Sequence, residues 1–573
     1  MNRTFIDHTV RQCRNLDGLW DFVTDPEDMG LTQEWQKQFP ANHGQMYVPA
    51  CWNNELGLYD YRGAAWYRTR INVSGEQNLQ IIFHAVQGFA QVYWDGEQVA
   101  GHFGGFTPFS FVVSHAVPGV HELVIRTDNR LGEDTIPYHA VDWFHYGGII
   151  RPVEVQVLPD IFIEGLKMEY SQGSDGQLET SCRVTLRSLG EAASVPVALT
   201  LDGVTIGEQT VGVPANGTVH AAFSHTLPNP RLWDVGRPEL YMVRAATPED
   251  DLADRIGFRF IRAAEGKIYL NGKEIRFQGV NRHEEHPEWG FAFPPKLMTK
   301  EIALLKELGC NSVRGSHYPQ SPYWIDLLDE NGLLYWSEIP IWGAHLPVEA
   351  TGNPVLEERA RTMIGEMIRR DFHHPCILFW SVHNEIDTRS QEALHLSQSL
   401  SGLVRELDQS RLVAYATMHP LTDIVMGCFD VIGINYYHGW YNGKVEQFAD
   451  MLAGFHKHAA SLGCADKPVL MTEFGGAGIY GDTGWEPRLF SEDYQAEILA
   501  KALRIFRGDP KLSGTFIWQF ADIRGDLRSE RGFFRDRARS FNNKGLLNEY
   551  RKPKLAYRVV RDIYRADRYP LTE

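Results

Sequence analysis

Asp371–Asp387, DFHHPCILFWSVHNEID, decides how the rest of the chain is read. Cys376 to Ser381 is an apolar and aromatic run closed by a small polar residue, the pattern of a strand buried on both faces. Asn384 and Glu385 follow at once, so an amide and a carboxylate stand just past the strand's C-terminal end. Val469-Leu-Met-Thr-Glu473-Phe-Gly-Gly repeats the arrangement of apolar strand, glutamate and glycines. Two glutamates at the carboxyl ends of two parallel strands are what glycoside hydrolysis on a barrel needs. One carboxyl must stay protonated as acid and the other ionised as nucleophile. The sequence leaves the distance between them open.

Working outward from this strand, the chain alternates strand and helix from about Gly266 onward. Ile275–Val280, Ser312–Arg314, Gly332–Ser337, Val431–Asn435, Val469–Thr472 and Gly514–Trp518 read as further strands. Thr299–Leu308, with Thr299 as cap, Pro322–Glu330, Val355–Arg370, Val445–Leu462 and Glu492–Arg507 read as helices. Such alternation predicts a C-terminal (β/α)₈ TIM barrel over residues 263–573, with chemistry gathered at its C-terminal face.

The first half has a different grammar. Leu79-Gln-Ile-Ile-Phe-His-Ala-Val and Gln91-Val-Tyr-Trp-Asp-Gly-Glu-Gln-Val are short alternating strands, the second broken by an Asp95-Gly96 hairpin signal. Residues 1–160 therefore predict a jelly-roll β-sandwich. Cys182-Arg-Val-Thr-Leu-Arg, Val195-Pro-Val-Ala-Leu-Thr-Leu and Val219-His-Ala-Ala-Phe continue the strands, so residues 161–262 predict an immunoglobulin-like β-sandwich.

Composition narrows the partners. Hydrophobic residues at 43% and charged residues at 23% describe an ordinary globular chain, and 573 residues require several domains. A net charge of −17 disfavours nucleic acid and anionic membrane surfaces. It also means that an acidic ligand must be held by local cations. Seven scattered cysteines without paired spacing read as free thiols in a reducing compartment. With no signal-like N-terminus and no apolar span of membrane length, the expectation is a cytoplasmic protein. No metal cluster or nucleotide fingerprint stands out, so no cofactor is expected.

Polar and aromatic residues recur at the predicted strand ends: Asn281-Arg-His283-Glu, Arg314-Gly-Ser-His317-Tyr-Pro, Asn384-Glu385, Asn435-Tyr-Tyr437, Glu473 and Trp518. A single one of these reads as structural. Their convergence on one barrel face reads as an active site.

On these residues the chain resembles glycoside hydrolase family 2. Asn311-Ser-Val-Arg-Gly-Ser-His-Tyr-Pro with Asp329-Glu-Asn-Gly-Leu-Leu-Tyr-Trp336 is similar to the family's first signature, and Cys376-Ile-Leu-Phe-Trp-Ser-Val-His-Asn-Glu385 to its second. Gly315 and Phe372-His373-His374-Pro375 depart from the usual residues without touching the glutamates. The resemblance implies Glu385 as acid/base, Glu473 as nucleophile and Asn384 as the holder of the sugar 2-hydroxyl. Within the family, Asn435-Tyr-Tyr437-His-Gly-Trp-Tyr441, Trp518-Gln-Phe-Ala-Asp522 and Phe541-Asn542-Asn543-Lys544-Gly545 resemble the β-glucuronidases. An Asn-x-Lys pair there grips the sugar carboxylate, and the physical logic stands by itself: a buried carboxylate needs a cation and donors.

That resemblance implies Asn542 and Lys544 at the carboxylate, with Arg539 or Arg537 beside them. It also implies Asp142 reaching in from the sandwich, His317, Asn435 and Tyr437 around the sugar and the acid pair, and Tyr441 and Trp518 as walls. The expected reaction is retaining exo-hydrolysis of terminal β-D-uronides, glucuronide or galacturonide, carried as small molecules or oligosaccharide ends, by a homo-oligomer. The short segment between Ile339 and Pro354 implies a pocket open to large aglycones. Two other readings stay open. Asn281-Arg-His283-Glu-Glu-His looks galactosidase-like, and relatives with that motif use the histidine on galactosides. A carbohydrate-binding protein without turnover would have the same scaffold.

Overall fold

Asp95 and Gly96 both lie at positive φ, 49° and 87°, and fold Val86–Trp94 back on Glu97–Gly104 as an antiparallel hairpin. The computed structural model describes residues 3–139, 141–343, 346–526 and 537–566. The hairpin belongs to a seven-stranded sheet that also holds Gly18–Asp25, Gly44–Val48, Ala64–Val73, Gly119–Asp128 and Gly148–Ile149. It faces a four-stranded sheet in which Gln12–Asn15 pairs with Val153–Leu158, so the two ends of the sandwich lie side by side. Trp20, Trp52, Tyr67, Ile81 and Ile125 fill the space between the sheets.

The next seven strands form sheets of three and four. Buried and less buried residues alternate along Leu178–Ser188, as one face meets the core and the other meets water. Asn271 and Gly272, again both at positive φ, then close a small antiparallel sheet of Ile261–Ala264, Lys267–Leu270 and Lys273–Ile275. This corrects the single strand expected over Ile275–Val280. Its first residue ends the small sheet, and the barrel starts only at Phe277.

The barrel is closed and all parallel, with strands β1 (Phe277–Asn281), β2 (Ser312–Gly315), β3 (Leu334–Glu338), β4 (Ile377–Asn384), β5 (Leu412–Thr417), β6 (Val431–Asn435), β7 (Val469–Glu473) and β8 (Leu512–Ile517). Phe277 of β1 pairs with Gly514 of β8. Every residue of β4 is buried, as its unbroken apolar run requires. β5 and the helices Gln391–Leu407 and Leu555–Ala566 were not read from the sequence. The helix expected from Thr299 begins at Pro295, because proline is well suited to the first helical position. Thr299 therefore lies one turn inside, its hydroxyl on the carbonyls of Pro295 and Lys296. Of the short segment between Ile339 and Pro354, Ala344 and His345 lie outside the described residues, and Val348–Thr351 is a one-turn helix. Among the described residues no helix is long and apolar enough to cross a membrane.

Candidate active site

The strand register assembles the site. β6 and β7 pair Asn435 with Glu473, so a side-chain amide and a carboxylate leave adjacent strand ends on the same level. Asn435 Nδ2 donates to Glu385 Oε1 at 2.8 Å and to Asn384 Oδ1 at 2.9 Å, and Asn435 Oδ1 accepts from Thr472 Oγ1 at 2.7 Å. One amide thus ties the ends of β4, β6 and β7 together. Glu385 sits at φ 55°, a left-handed conformation that side chains seldom adopt, immediately after β4.

The two glutamates have opposite surroundings. Glu473 accepts from Arg314 Nη1 at 2.8 Å and from the Tyr437 hydroxyl at 2.6 Å, so a cation and a donor face its carboxyl. Glu385 has no cation bonded to it among the described residues. Burial, followed by the negative charge of Glu473, pushes its carboxyl up to about 8. Glu385 is thereby kept protonated near pH 7, as an acid catalyst requires, while Glu473 faces a cation.

Arg314 holds this arrangement. It is fully buried at the end of β2 and grips Glu338, at the end of β3, through two hydrogen bonds of 3.0 Å. It also donates to Asn384 Oδ1 at 2.7 Å and Asn281 Oδ1 at 3.0 Å. Burial alone would raise the Glu338 carboxyl, but Arg314 and His317 hold it down to about 2. His317 Nδ1 lies 2.6 Å from Glu338 Oε1, and its Nε2 is 3.9 Å from Glu473. Because Asn384 Oδ1 is occupied by Arg314 and Asn435, its buried Nδ2 is left without a partner among the described residues. That is the donor a sugar hydroxyl needs.

Trp518, after β8, stacks on His317 at 5.1 Å, and Trp143 from the sandwich lies 5.5 Å from the same ring. His283 is packed among Trp143, His317, Tyr318 and Trp518. Burial and the charges of His317 and Arg314 keep it neutral. The rest of its galactosidase-like motif is spent on structure. Glu284 pairs with Arg151 of the sandwich at 3.2 Å, and Glu285 accepts from the Tyr146 hydroxyl at 2.6 Å.

Beside the glutamates is a second, cationic group. Lys544 is only 1% exposed, and its ammonium donates to the Tyr441 hydroxyl at 2.8 Å. It lies 5.6 Å from the Tyr437 ring and 5.8 Å from that of Trp440. Burial, then the nearby Arg537 charge, lowers the ammonium well below the ordinary lysine range. Arg537 pairs with Asp142 through two nitrogens, and Asn542 Nδ2 reaches Asp142 Oδ2 at 3.2 Å. Tyr441 is half exposed.

The structure thus brings Asp142, His317, Asn384, Glu385, Asn435, Tyr437, Tyr441, Glu473, Trp518, Asn542 and Lys544 to one mouth. Arg539 is a correction. Its side chain is 52% exposed and pairs with Glu549 at 3.2 Å, and Arg537 occupies the place expected of it. Only Ala538 separates them, and the backbone turns through positive φ at Arg539 (58°) and Ser540 (64°), so the two side chains go to different partners. Arg314 and Glu338 were missed as a unit, as were Trp143 and Trp440. The available signal was a buried-strand arginine, which demands a carboxylate partner, and Glu338 closes the neighbouring strand. Elsewhere, Asp326, Asp329 and His374 cluster closely enough to hold a metal, but Arg3 already binds Asp326 through two nitrogens at 2.9 Å.

Comparison with known proteins agrees with this geometry. Residues 261–567 match the model for glycosyl hydrolases family 2, TIM barrel domain. The chain superposes on a GH2 β-galacturonidase from Eisenbergiella tayi bound to galacturonate with TM-score 0.90 and 31% identity, over 99% of each chain. A β-glucuronidase from Ruminococcus gnavus gives TM-score 0.87 and 25% identity over 99% of each. A β-glucuronidase from Paenibacillus borealis is 28% identical across 97% of both sequences.

Proposed function

The chain belongs to glycosyl hydrolase family 2, and from that premise we propose that it is a retaining exo-β-glycosidase releasing terminal β-D-glucuronate or β-D-galacturonate. The observation that carries the uronide reading is the buried Lys544 ammonium, flanked by Tyr441 and close to Arg537, beside the two glutamates. A neutral sugar offers such a group nothing. A sugar carboxylate offers it a partner and recovers the cost of its burial. The relatives named for β-glucuronides and a β-galacturonide support the same substrate class.

In this reading Glu473, oriented by Arg314 and Tyr437, attacks the anomeric carbon. Glu385, held protonated, passes its proton to the glycosidic oxygen, and the aglycone leaves as an alcohol. The glycosyl–Glu473 ester is then attacked by a water whose proton returns to the Glu385 carboxylate, so the anomeric configuration is retained. Asn384 Nδ2 takes the 2-hydroxyl, and Trp518 and His317 wall the ring. Asp142 lies near enough to Asn542 and Arg537 to hold a further hydroxyl. The carboxylate grip does not distinguish the two uronates, which differ at one hydroxyl. The seven free cysteines support a reducing compartment for the working enzyme.

The test is a panel of nitrophenyl β-glucuronide, β-galacturonide and β-galactoside, with the first-released anomer followed by NMR. The expected result is uronide cleavage with β-anomer released first. Faster galactoside cleavage, or α-anomer first, overturns it.

A further inference from the structure

Lys544 can meet a carboxylate only if the turn that presents it is fixed, and its own side chain does not fix it. The turn Asn542–Gly545 is held through its backbone. Gln519 N donates to Lys544 O at 3.0 Å, and Gln495 Nε2 reaches Lys544 O and Gly545 O at 3.2 and 3.1 Å. Beneath it lie Lys554 and Asp522, each with a side chain 0% exposed. The Lys554 ammonium donates to Gly478 O at 2.6 Å, Asp522 Oδ1 at 2.7 Å and Asn543 O at 3.0 Å. All three of its N–H groups are used. Asp522 Oδ1 in turn accepts from Gly545 N at 2.9 Å. At Gly545 even a β-carbon would come within 2.2 Å of Asp522 N, so the turn rests directly on this pair.

These contacts join three segments: the loop after β7, which begins at the nucleophile strand, the loop after β8, and the turn bearing Lys544. We propose that Lys554 and Asp522 are a positioning pair for uronate recognition, setting the Lys544 ammonium in register with Glu473. Neither touches the sugar. A buried pair whose only work is stability would be costly, since apolar or neutral residues of like shape commonly replace such pairs without loss. Here the lysine's two remaining hydrogens reach carbonyls on separate active-site loops.

The inference rests on Lys544 as the carboxylate's partner, so Lys544→Ala is measured beside the pair variants. The enzyme is assayed as Asp522→Asn/Lys554→Met, which keeps shape and removes both charges, and as Asp522→Asn alone. The readouts are thermal stability, kcat and KM on nitrophenyl β-glucuronide and β-glucoside, and the Kd of free glucuronate by calorimetry. The expected outcome is a folded double variant that loses about thirty-fold or more in uronide kcat/KM and glucuronate affinity, mainly through KM, while neutral-glycoside turnover falls less than about threefold. The single variant should fall in the same direction by less, and it serves if the double variant does not fold. Equal losses on both substrates, or none on either, overturn the positioning role. If Lys544→Ala itself spares uronide selectivity, the carboxylate reading has failed instead.

Discussion

Replacing Glu385 with glutamine tests the electrostatic design of the site, because it fixes that side chain in the neutral state the fold favours. The carboxyl is moved from an ordinary 4.5 to about 8, first by burial and then by the charge of Glu473. Each pH unit between those values is worth about 1.4 kcal/mol, so ionising Glu385 in the folded protein costs about 5 kcal/mol relative to the unfolded chain. Solvent at the open side of the pocket makes that an upper bound. The sign follows from the raised value. The protonated form is favoured by folding, its contribution is complete below about pH 4.5, and it is lost as pH rises through about 8. Glu385→Gln should therefore match wild type in stability at pH 5 and exceed it increasingly toward pH 8, read by calorimetric melting across that range. Catalysis responds in the same window. In the enzyme–substrate complex Lys544 is paired, so the basic limb of kcat reports Glu385. Wild-type kcat should fall as pH rises past about 8. In the variant, kcat on an alkyl uronide should be lower by about a hundred- to ten-thousand-fold, with that limb gone. A wild-type limb at pH 5 to 6, a limb that survives in the variant, or a variant that loses stability as pH rises would each refute the reasoning.

Lys544→Ala should cost about 2–5 kcal/mol in uronide kcat/KM, a loss of about thirty- to several-thousand-fold, since it leaves a sugar carboxylate buried beside no ammonium. Nitrophenyl β-galactoside turnover should hardly change, and equal loss on both substrates removes Lys544 from the site. Arg537→Ala should lower uronide kcat/KM by at least tenfold while Arg539→Ala stays within about twofold, because only Arg537 lies among Asp142, Tyr441 and Lys544. Identical kinetics for the two would return Arg539 to consideration. Arg314→Met strands Glu338 and Glu473 and should destabilise by about 3–5 kcal/mol in denaturant unfolding. Adding Glu338→Gln should recover much of that stability and none of the activity; a double variant with wild-type kcat would remove Arg314 from the control of Glu473.

The sequence showed the ends of the barrel strands more clearly than their neighbours. β4 and β7 were legible because a buried parallel strand is a continuous apolar run, and the polar residue that ends it stands out. β5, Leu-Val-Ala-Tyr-Ala-Thr, is buried from its second residue on but ends in no charged group, so nothing marked it. The helix before it was legible and was missed: Ser390 caps it, and Ala393, Leu396, Leu400 and Val404 repeat at helical spacing along its buried face. The Glu385–Glu473 pair and Lys544 could be named because each role needs one residue type. Arg314 was visible as a buried-strand arginine in want of a carboxylate, but its full role is relational: it bonds four side chains from four other strands, and strand register alone brings those together. Arg537 and Arg539 show the same limit at short range. The resemblance calls for an arginine there, and only the backbone turn over Ala538–Ser540 decides which one faces the site.

The whole-chain charge runs against an anionic substrate, and the site shows how one is held all the same. At −17 the protein gives no general attraction to a uronate. At physiological ionic strength, though, charges beyond about 8 Å are largely screened at the surface, whereas buried neighbours are not. The mouth of the barrel sets Arg314 and Lys544 within the influence of the two glutamates, with Arg537 close to Lys544. Arg314 is already committed to Glu338 and Glu473, and Arg537 to Asp142. Lys544 alone among the three meets only a neutral oxygen, that of Tyr441, within hydrogen-bonding distance among the described residues. The incoming carboxylate therefore supplies the missing charge to a cation that the fold has buried at a cost, and the same event raises the proton affinity of Lys544. Uronide binding should accordingly weaken as pH rises toward the lowered lysine value, in kcat/KM and not in kcat, which separates the carboxylate grip from the acid chemistry of Glu385 in one pair of pH profiles.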